Sequence, residues 1–127
     1  MRHCRVLIAD DSADIRLLLR LAIEGDAELE LIGEAVDGAE AVSLAQALQP
    51  DVLLLDLSMP VMDGLEAIPL VRGVAPTTAI IVVSGFLTGE TKQKVLGAGA
   101  VGFVEKGGDF GELIAYVKEV GIERFGS

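Results

Sequence analysis

Short apolar runs and amphipathic stretches alternate along the chain, and the period of each run decides its reading. Val6-Leu7-Ile8-Ala9 is continuously apolar and stops at Asp10-Asp11, which fits a strand buried on both faces better than one facing water. Behind it Ile15, Leu18, Leu19, Ala22 and Ile23 recur at helical spacing as one apolar stripe, with Ser12 placed to cap the start and Gly25 the end. A second strand is expected over residues 29–36, followed by Asp37-Gly38 and a helix through Ala41, Val42, Ala45 and Leu48 that must stop before Pro50. Val52-Leu53-Leu54-Leu55 is the most apolar run and ends on Asp56. Asp63-Gly64 opens a short helix through Ala67, Ile68 and Val71, in which Pro69 is tolerable only near the first turn. The β-branched run 79–83 reads as a strand ending at Ser84-Gly85. Residues 89–98 carry Gly89 and Gly97 and few large apolar side chains, which predicts the loosest helix. A short strand Gly102-Phe103-Val104, then Lys106-Gly107-Gly108, then a helix presenting Phe110, Leu113, Ile114 and Val117 complete the pattern.

Strict alternation of strand and helix implies a doubly wound α/β fold, a five-stranded parallel sheet with five helices on its two faces joined by right-handed crossovers. At 127 residues, without repeats or linkers, the chain reads as one domain over 1–127. A hydrophobic share of 51% supplies a core and argues against disorder. Twenty acidic against ten basic side chains, a net charge of −10, argue against nucleic acid or an anionic membrane as a direct partner. Cys4 is the one cysteine and lies in an apolar stretch, so a buried thiol and a reducing, cytoplasmic location are expected. The N-terminal run meets acids too soon for a signal peptide, and no apolar run approaches the roughly 20 residues of a membrane span.

Sheets of this kind bind ligands beyond the carboxyl ends of their strands. The residues ending these strands are Asp10, Asp11, Asp56, Ser84 and Lys106. Taken singly each has an ordinary reading: Asp10-Asp11 as helix caps, Ser84 as a turn hydroxyl, Lys106 as a solvated lysine, Phe103 as core, His3 as surface and Asp63-Gly64 as a helix-start turn. Together they place three carboxylates, a hydroxyl and an ammonium on one edge. Clustered carboxylates repel and raise one another's pKa unless a cation joins them, and oxygen donors at a partly open site suit Mg²⁺. The set has a logic for phosphoryl transfer, with a carboxylate as nucleophile and positive charge on the phosphoryl oxygens.

These residues resemble the receiver domain of two-component response regulators, in its chemotaxis-regulator-like form. The resemblance rests on Ile8-Ala9-Asp10-Asp11-Ser12, on Leu55-Asp56-Leu57-Ser58-Met59-Pro60-Val61-Met62-Asp63-Gly64, on Val82-Val83-Ser84-Gly85 and on Gly102-Phe103-Val104-Glu105-Lys106. Phe103 and Lys106 follow Ser84 by 19 and 22 positions, which is the family's spacing. The resemblance implies the flavodoxin-like strand order 2-1-3-4-5. It implies Asp56 as phosphoacceptor, taking its phosphoryl group from a sensor histidine kinase, a phosphotransfer protein or a small acyl phosphate. Mg²⁺ would be held by Asp11, Asp56 and the backbone carbonyl of Ser58, assisted by Asp10. Ser84 and Lys106 would bind the phosphoryl oxygens, and Phe103 would be the aromatic switch. The expected output is an altered face of the fourth helix, fifth strand and fifth helix, read by an effector protein or domain or by a second copy in a homodimer. Such a chain is a signalling switch that catalyses its own phosphorylation and slow dephosphorylation, not a metabolic enzyme.

Two departures stand out. Gly107 replaces the family's usual proline after the lysine, which puts a cis peptide there in doubt because a non-proline cis bond costs about 2.5–4 kcal/mol. Gly85 keeps the position after Ser84 small and should leave the pocket mouth open. Ser58 and Phe86 flank the expected path of the hydrolytic water, and apolar Phe86 is expected to slow loss of the phosphoryl group. A rival class is the haloacid-dehalogenase-like phosphatases, which carry a second acid two residues after the nucleophile; here that position is Ser58. A vestigial receiver-like module is a third reading, which the intact set opposes. The chain ends soon after its last predicted helix, so an effector domain is expected to be absent from it. The stretch Ile32-Gly33-Glu34-Ala35 with Asp37-Gly38 and Pro50-Asp51 nonetheless resembles receivers that precede helix-turn-helix domains.

Overall fold

The computed structural model describes residues 3–85 and 87–125, with side chains up to residue 121. Five strands alternate with five helices in chain order: β1 (Cys4–Ala9), α1 (Ala13–Glu24), β2 (Leu29–Ala35), α2 (Gly38–Leu48), β3 (Val52–Leu55), α3 (Gly64–Val74), β4 (Ala79–Ser84), α4 (Gly89–Ala98), β5 (Gly102–Glu105) and α5 (Phe110–Phe125). All pairings are parallel and the strand order is β2-β1-β3-β4-β5, the doubly wound sheet expected from the alternation and the order implied by the resemblance. Successive side chains of a strand point to opposite faces, so each buried strand feeds two cores. Leu7, Leu53, Leu55, Ile80 and Val82 pack with α2, α3 and α4, while Val6, Ile8, Leu54, Ile81 and Val83 pack with α1 and α5.

Four of the helix starts follow one device. Ser12, Asp37, Asp63 and Thr88 each accept a hydrogen bond from the backbone N–H three residues on, which satisfies an otherwise orphaned donor. Several elements differ from the sequence reading. The first strand begins at Cys4, whose side chain is buried, rather than at Val6. Strand β2 stops at Ala35, leaving Val36 exposed, and β5 runs one residue further than expected, to Glu105. Leu18 is 46% exposed, so the core stripe of α1 narrows to Ile15, Leu19, Ala22 and Ile23. Pro69 is the sixth residue of α3, not a first-turn residue; it lies on the exposed face, where water can serve the carbonyl its missing N–H would have bonded. Helix α4 buries fully only Val95.

Two glycines bring the loops to the sheet edge. Gly64 N donates to the Leu57 carbonyl at 2.9 Å, and a Cβ there would collide with the Asp56 carbonyl oxygen and lie 2.8 Å from Leu57 Cα. Gly38 N donates to the Met62 carbonyl at 3.0 Å, with its Cβ position likewise filled by Met62 backbone. The loop after β3 is thereby pinned at both ends, which fixes where Asp56 and Ser58 stand. Because the obstructing atoms are backbone, Gly64→Ala is expected to cost about 1–3 kcal/mol, the usual range for overpacking. Urea unfolding of the two proteins checks this, and equal midpoints would show that the loop can move aside.

Candidate functional site

The carboxyl ends of β1, β3, β4 and β5 converge. Asp10 leaves β1 with its N–H donated to the Ala35 carbonyl at 3.0 Å, and its Oδ1 accepts from Ser12 N at 2.9 Å. Asp56 leaves β3 with its N–H on the Ala9 carbonyl at 2.9 Å, and its Oδ1 accepts from Ser58 N at 3.3 Å. Both carboxylates are buried, at 2% and 3% exposure, whereas Asp11 is exposed. The Lys106 ammonium bridges the two buried acids, 2.8 Å from Asp10 Oδ2 and 3.2 Å from Asp56 Oδ2. The Lys106 N–H donates to the Ser84 carbonyl at 2.7 Å, so the lysine is registered against β4 before its side chain turns inward. Ser84 is itself buried.

Asp11, Asp56, Ser58, Ser84, Gly85 and Lys106 line an open cleft of about 500 Å³, with Asp10 behind it. Burial pushes the Asp56 carboxyl above the ordinary aspartate range and the charge of Asp10 pushes the same way, against a smaller opposing pull from Lys106. Burial disfavours the Lys106 ammonium, but its hydrogen bond to Asp10 and the charges of Asp56 and Asp10 outweigh this and hold it above the usual lysine value. Carboxylate oxygens of Asp10, Asp11 and Asp56 lie within 4.8 Å of one another. An oxygen-only set of three acids that opens to water fits Mg²⁺, a hard cation that keeps part of its hydration. Those three residues could hold it, with Ser58 on the same wall.

The structure therefore brings together Asp10, Asp11, Asp56, Ser58, Ser84 and Lys106. Phe103 stands apart from the cleft lining, half-buried beside Val82 in register, with Lys92 Nζ 5.3 Å from its ring centroid. Phe86 lies outside the described residues. Every described peptide bond is trans, including that between Lys106 and Gly107. Gly107 has φ +88°, a left-handed conformation open to glycine and closed to proline, whose ring fixes φ near −65°. The departure at this position thus comes with a different loop path.

Sequence reasoning missed Arg16 and Glu34. Arg16 Nη1 donates to the Asp10 carbonyl at 2.8 Å, and Glu34 meets both Arg16 and Arg20. The available signal was a pair of arginines four apart on the first helix and a glutamate inside the second expected strand.

Residues 6–118 match the family described as the response regulator receiver domain, and the chain belongs to it. It is 45% identical over 108 residues to a protein-glutamate methylesterase/protein-glutamine glutaminase of Caldanaerobacter subterraneus, covering 84% of this chain and 29% of that protein. A counterpart from Carboxydothermus hydrogenoformans is 38% identical over 121 residues, covering 94% and 35%. The chain thus spans about a third of the length of these curated relatives. Among solved structures, the response regulator domain of Thermotoga maritima CheB superposes with a TM-score of 0.89 at 34% identity, covering 94% of this chain and 97% of that one. The receiver domain of NarL from Mycobacterium tuberculosis gives 0.92 at 32% identity, covering 98% and 100%. Among the described residues no helix is long and apolar enough to cross a membrane.

Proposed function

We propose that residues 1–127 form one phosphorylation-controlled receiver, working in the cytoplasm, whose phosphoacceptor is Asp56. The observation that carries the reading is the pair of buried carboxylates, Asp10 and Asp56, bridged by the Lys106 ammonium at the wall of an open cleft. The Asp56 carboxylate is held by the Ser58 N–H and the Lys106 ammonium at the cleft wall, so a phosphorus atom entering from the cleft meets a nucleophile already fixed in place. An Asp56 oxygen forms the new bond to phosphorus while the P–N bond of the kinase's phosphohistidine, or the P–O bond of an acyl phosphate, breaks with its electron pair leaving on the donor. Lys106 remains protonated throughout, because its partners hold its pKa up, and it can turn from the carboxylates to the phosphoryl oxygens. The Ser84 hydroxyl, on the neighbouring strand end, supplies a second donor. Asp11, Asp56 and the Ser58 carbonyl, with Asp10 behind, would hold Mg²⁺. The ion, when bound, neutralises charge on the phosphoryl group.

The partners that follow are a sensor histidine kinase or phosphotransfer protein upstream and an effector read by the α4–β5–α5 face downstream, with homodimerisation through that face as an alternative output. Relatives that are methylesterases carry such a domain as about a third of their length, which supports an effector attached to or recruited by this one.

Incubation with acetyl phosphate and Mg²⁺ is expected to add one phosphoryl group, and EDTA to prevent it. Calorimetric titration is expected to show saturable Mg²⁺ binding that Asp11→Ala abolishes. An unchanged titration curve in that variant would remove the metal site as drawn, and sustained turnover of generic phosphoesters would make the protein a hydrolase instead.

A further inference from the structure

Both backbone polar groups of Asp10 are referred to β2. Its N–H goes directly to the Ala35 carbonyl, and its carbonyl accepts from Arg16 Nη1 at 2.8 Å. Arg16 in turn has Nε 3.4 Å from Glu34 Oε1, and Glu34 is the residue before Ala35 on the same strand. Arg20, one turn further along α1, grips the same carboxylate with Nε at 2.7 Å and Nη2 at 3.0 Å, so Glu34 is held from both sides. Arg16 is 17% exposed and Glu34 22%, sheltered enough for these contacts to persist.

The Asp10 carbonyl belongs to the peptide that joins Asp10 to Asp11. The plane of that peptide fixes the Asp11 N–Cα bond, the axis that carries the Asp11 side chain, and Asp11 is the exposed member of the acidic set, without the burial that fixes Asp10 and Asp56. We propose that Arg16, braced by Glu34, is a positioning residue that aims the Asp11 carboxylate at the cation site. The role rests on the Mg²⁺ reading above. Neither residue lines the cleft, so the effect is transmitted through the turn.

The sign of the effect separates positioning from simple charge. Removing a cation from the neighbourhood of three carboxylates would, by Coulomb attraction alone, tighten Mg²⁺ binding. Loss of aim weakens it. Arg16→Met and Arg16→Gln are expected to bind Mg²⁺ on the order of tenfold more weakly, as removal of outer-shell support commonly does. In metal-free protein they are expected to exchange the Ser12 amide faster, because the Asp10–Ser12 turn loosens. Their melting temperatures should stay near the parent's, since Leu19 and Ile23 still anchor α1 in the core. Arg16→Lys, which restores a donor at the same charge, is expected to recover part of the affinity. Arg20→Met, with the same change of charge but no contact to the Asp10 carbonyl, is expected to bind nearly as the parent does. Either of the first two variants decides the matter when folded. Parent-like or tighter Mg²⁺ binding in it, while Asp11→Ala abolishes binding, would overturn the positioning role and leave the metal site standing. Absence of saturable binding in the parent would overturn the metal reading and this role with it.

Discussion

Asp56→Asn is expected to take up no phosphoryl group from acetyl phosphate and Mg²⁺, and to melt at a higher temperature than the parent at neutral pH. The first effect follows from replacing the nucleophilic carboxylate by an amide of the same shape. The second follows from electrostatics. The Asp56 carboxyl is held above its ordinary value of 3.8 by burial and by Asp10, so the folded protein binds this proton more tightly than the unfolded chain does. A group with a raised folded pKa contributes stability below the unfolded value, and that contribution is lost as pH rises through the folded value. Near pH 7 the ionised Asp56 is therefore a net cost, which the amide removes while Lys106 keeps Asp10 as its partner at 2.8 Å. The gain should be roughly 0.5–2 kcal/mol, the scale of a typical stabilising substitution. Thermal melts of the two proteins from pH 4 to 7 check the sign: the difference should be small in acid and open as pH rises. A constant difference would mean that ionisation of Asp56 is not its cause, and a less stable variant would mean that the buried pair is net favourable. Normal labelling of the variant would move the acceptor to another residue.

The middle of the sheet was legible because β1, β3 and β4 carry continuous apolar runs closed by polar residues, the pattern of parallel strands buried on both faces. Val52–Leu55 and Ala79–Ser84 end where the apolar runs end, at Asp56 and at Ser84-Gly85. The strand-end residues were legible for the same reason, since topology alone gathers the ends of β1, β3, β4 and β5 on one edge. What escaped was decided by neighbours far along the chain. Leu18 fits a helical stripe by spacing, but the face of α1 that α5 and the sheet cover is narrower than that stripe. Pro69 would break an isolated helix, yet α3 keeps it because Ala67, Ile68 and Val71 on either side are buried in the core and hold the helix in place. The left-handed φ of Gly107 and the pinning of Gly64 against Asp56 are backbone facts with no periodic signature. The Arg16–Glu34 contact joins an early helix to the second strand across a distance in sequence that no local pattern encodes.

Lys106→Ala is expected to leave Asp56 open to phosphorylation while silencing the response of α4 and β5. In the unphosphorylated protein the ammonium offsets the mutual repulsion of two buried carboxylates, so its removal destabilises the fold when Mg²⁺ is absent. Breaking a buried pair costs about 3–5 kcal/mol, and the cost here should be smaller because the lysine borders an open, solvated cleft. Since the folded pKa of Lys106 is raised, its contribution is fully present below its ordinary value of 10.5 and disappears only in strong base, so neutral pH shows the whole effect. Mg²⁺ replaces the missing positive charge and should stabilise the variant more than the parent. A phosphoryl group on Asp56 then draws the ammonium and the Ser84 hydroxyl by charge-assisted hydrogen bonds, roughly twice as strong as neutral ones. Only a contact that differs between the two states can shift their balance, and the lysine is the larger of the two contacts. The receiving end is soft: α4 buries fully only Val95, and Phe103, on the edge strand β5, is only half-buried against the core, with Lys92 over its ring. Such an element can answer a coupling energy of about 1–3 kcal/mol. Amide shifts over residues 88–106 on adding beryllofluoride with Mg²⁺, as a mimic of the phosphoryl group, provide the measurement. They should be large in the parent and collapse in Lys106→Ala, even though mass analysis with acetyl phosphate still finds Asp56 modified. If the variant's spectrum moves as far as the parent's, coupling runs through Ser84 without the lysine, and the proposed route from Asp56 to α4 is wrong.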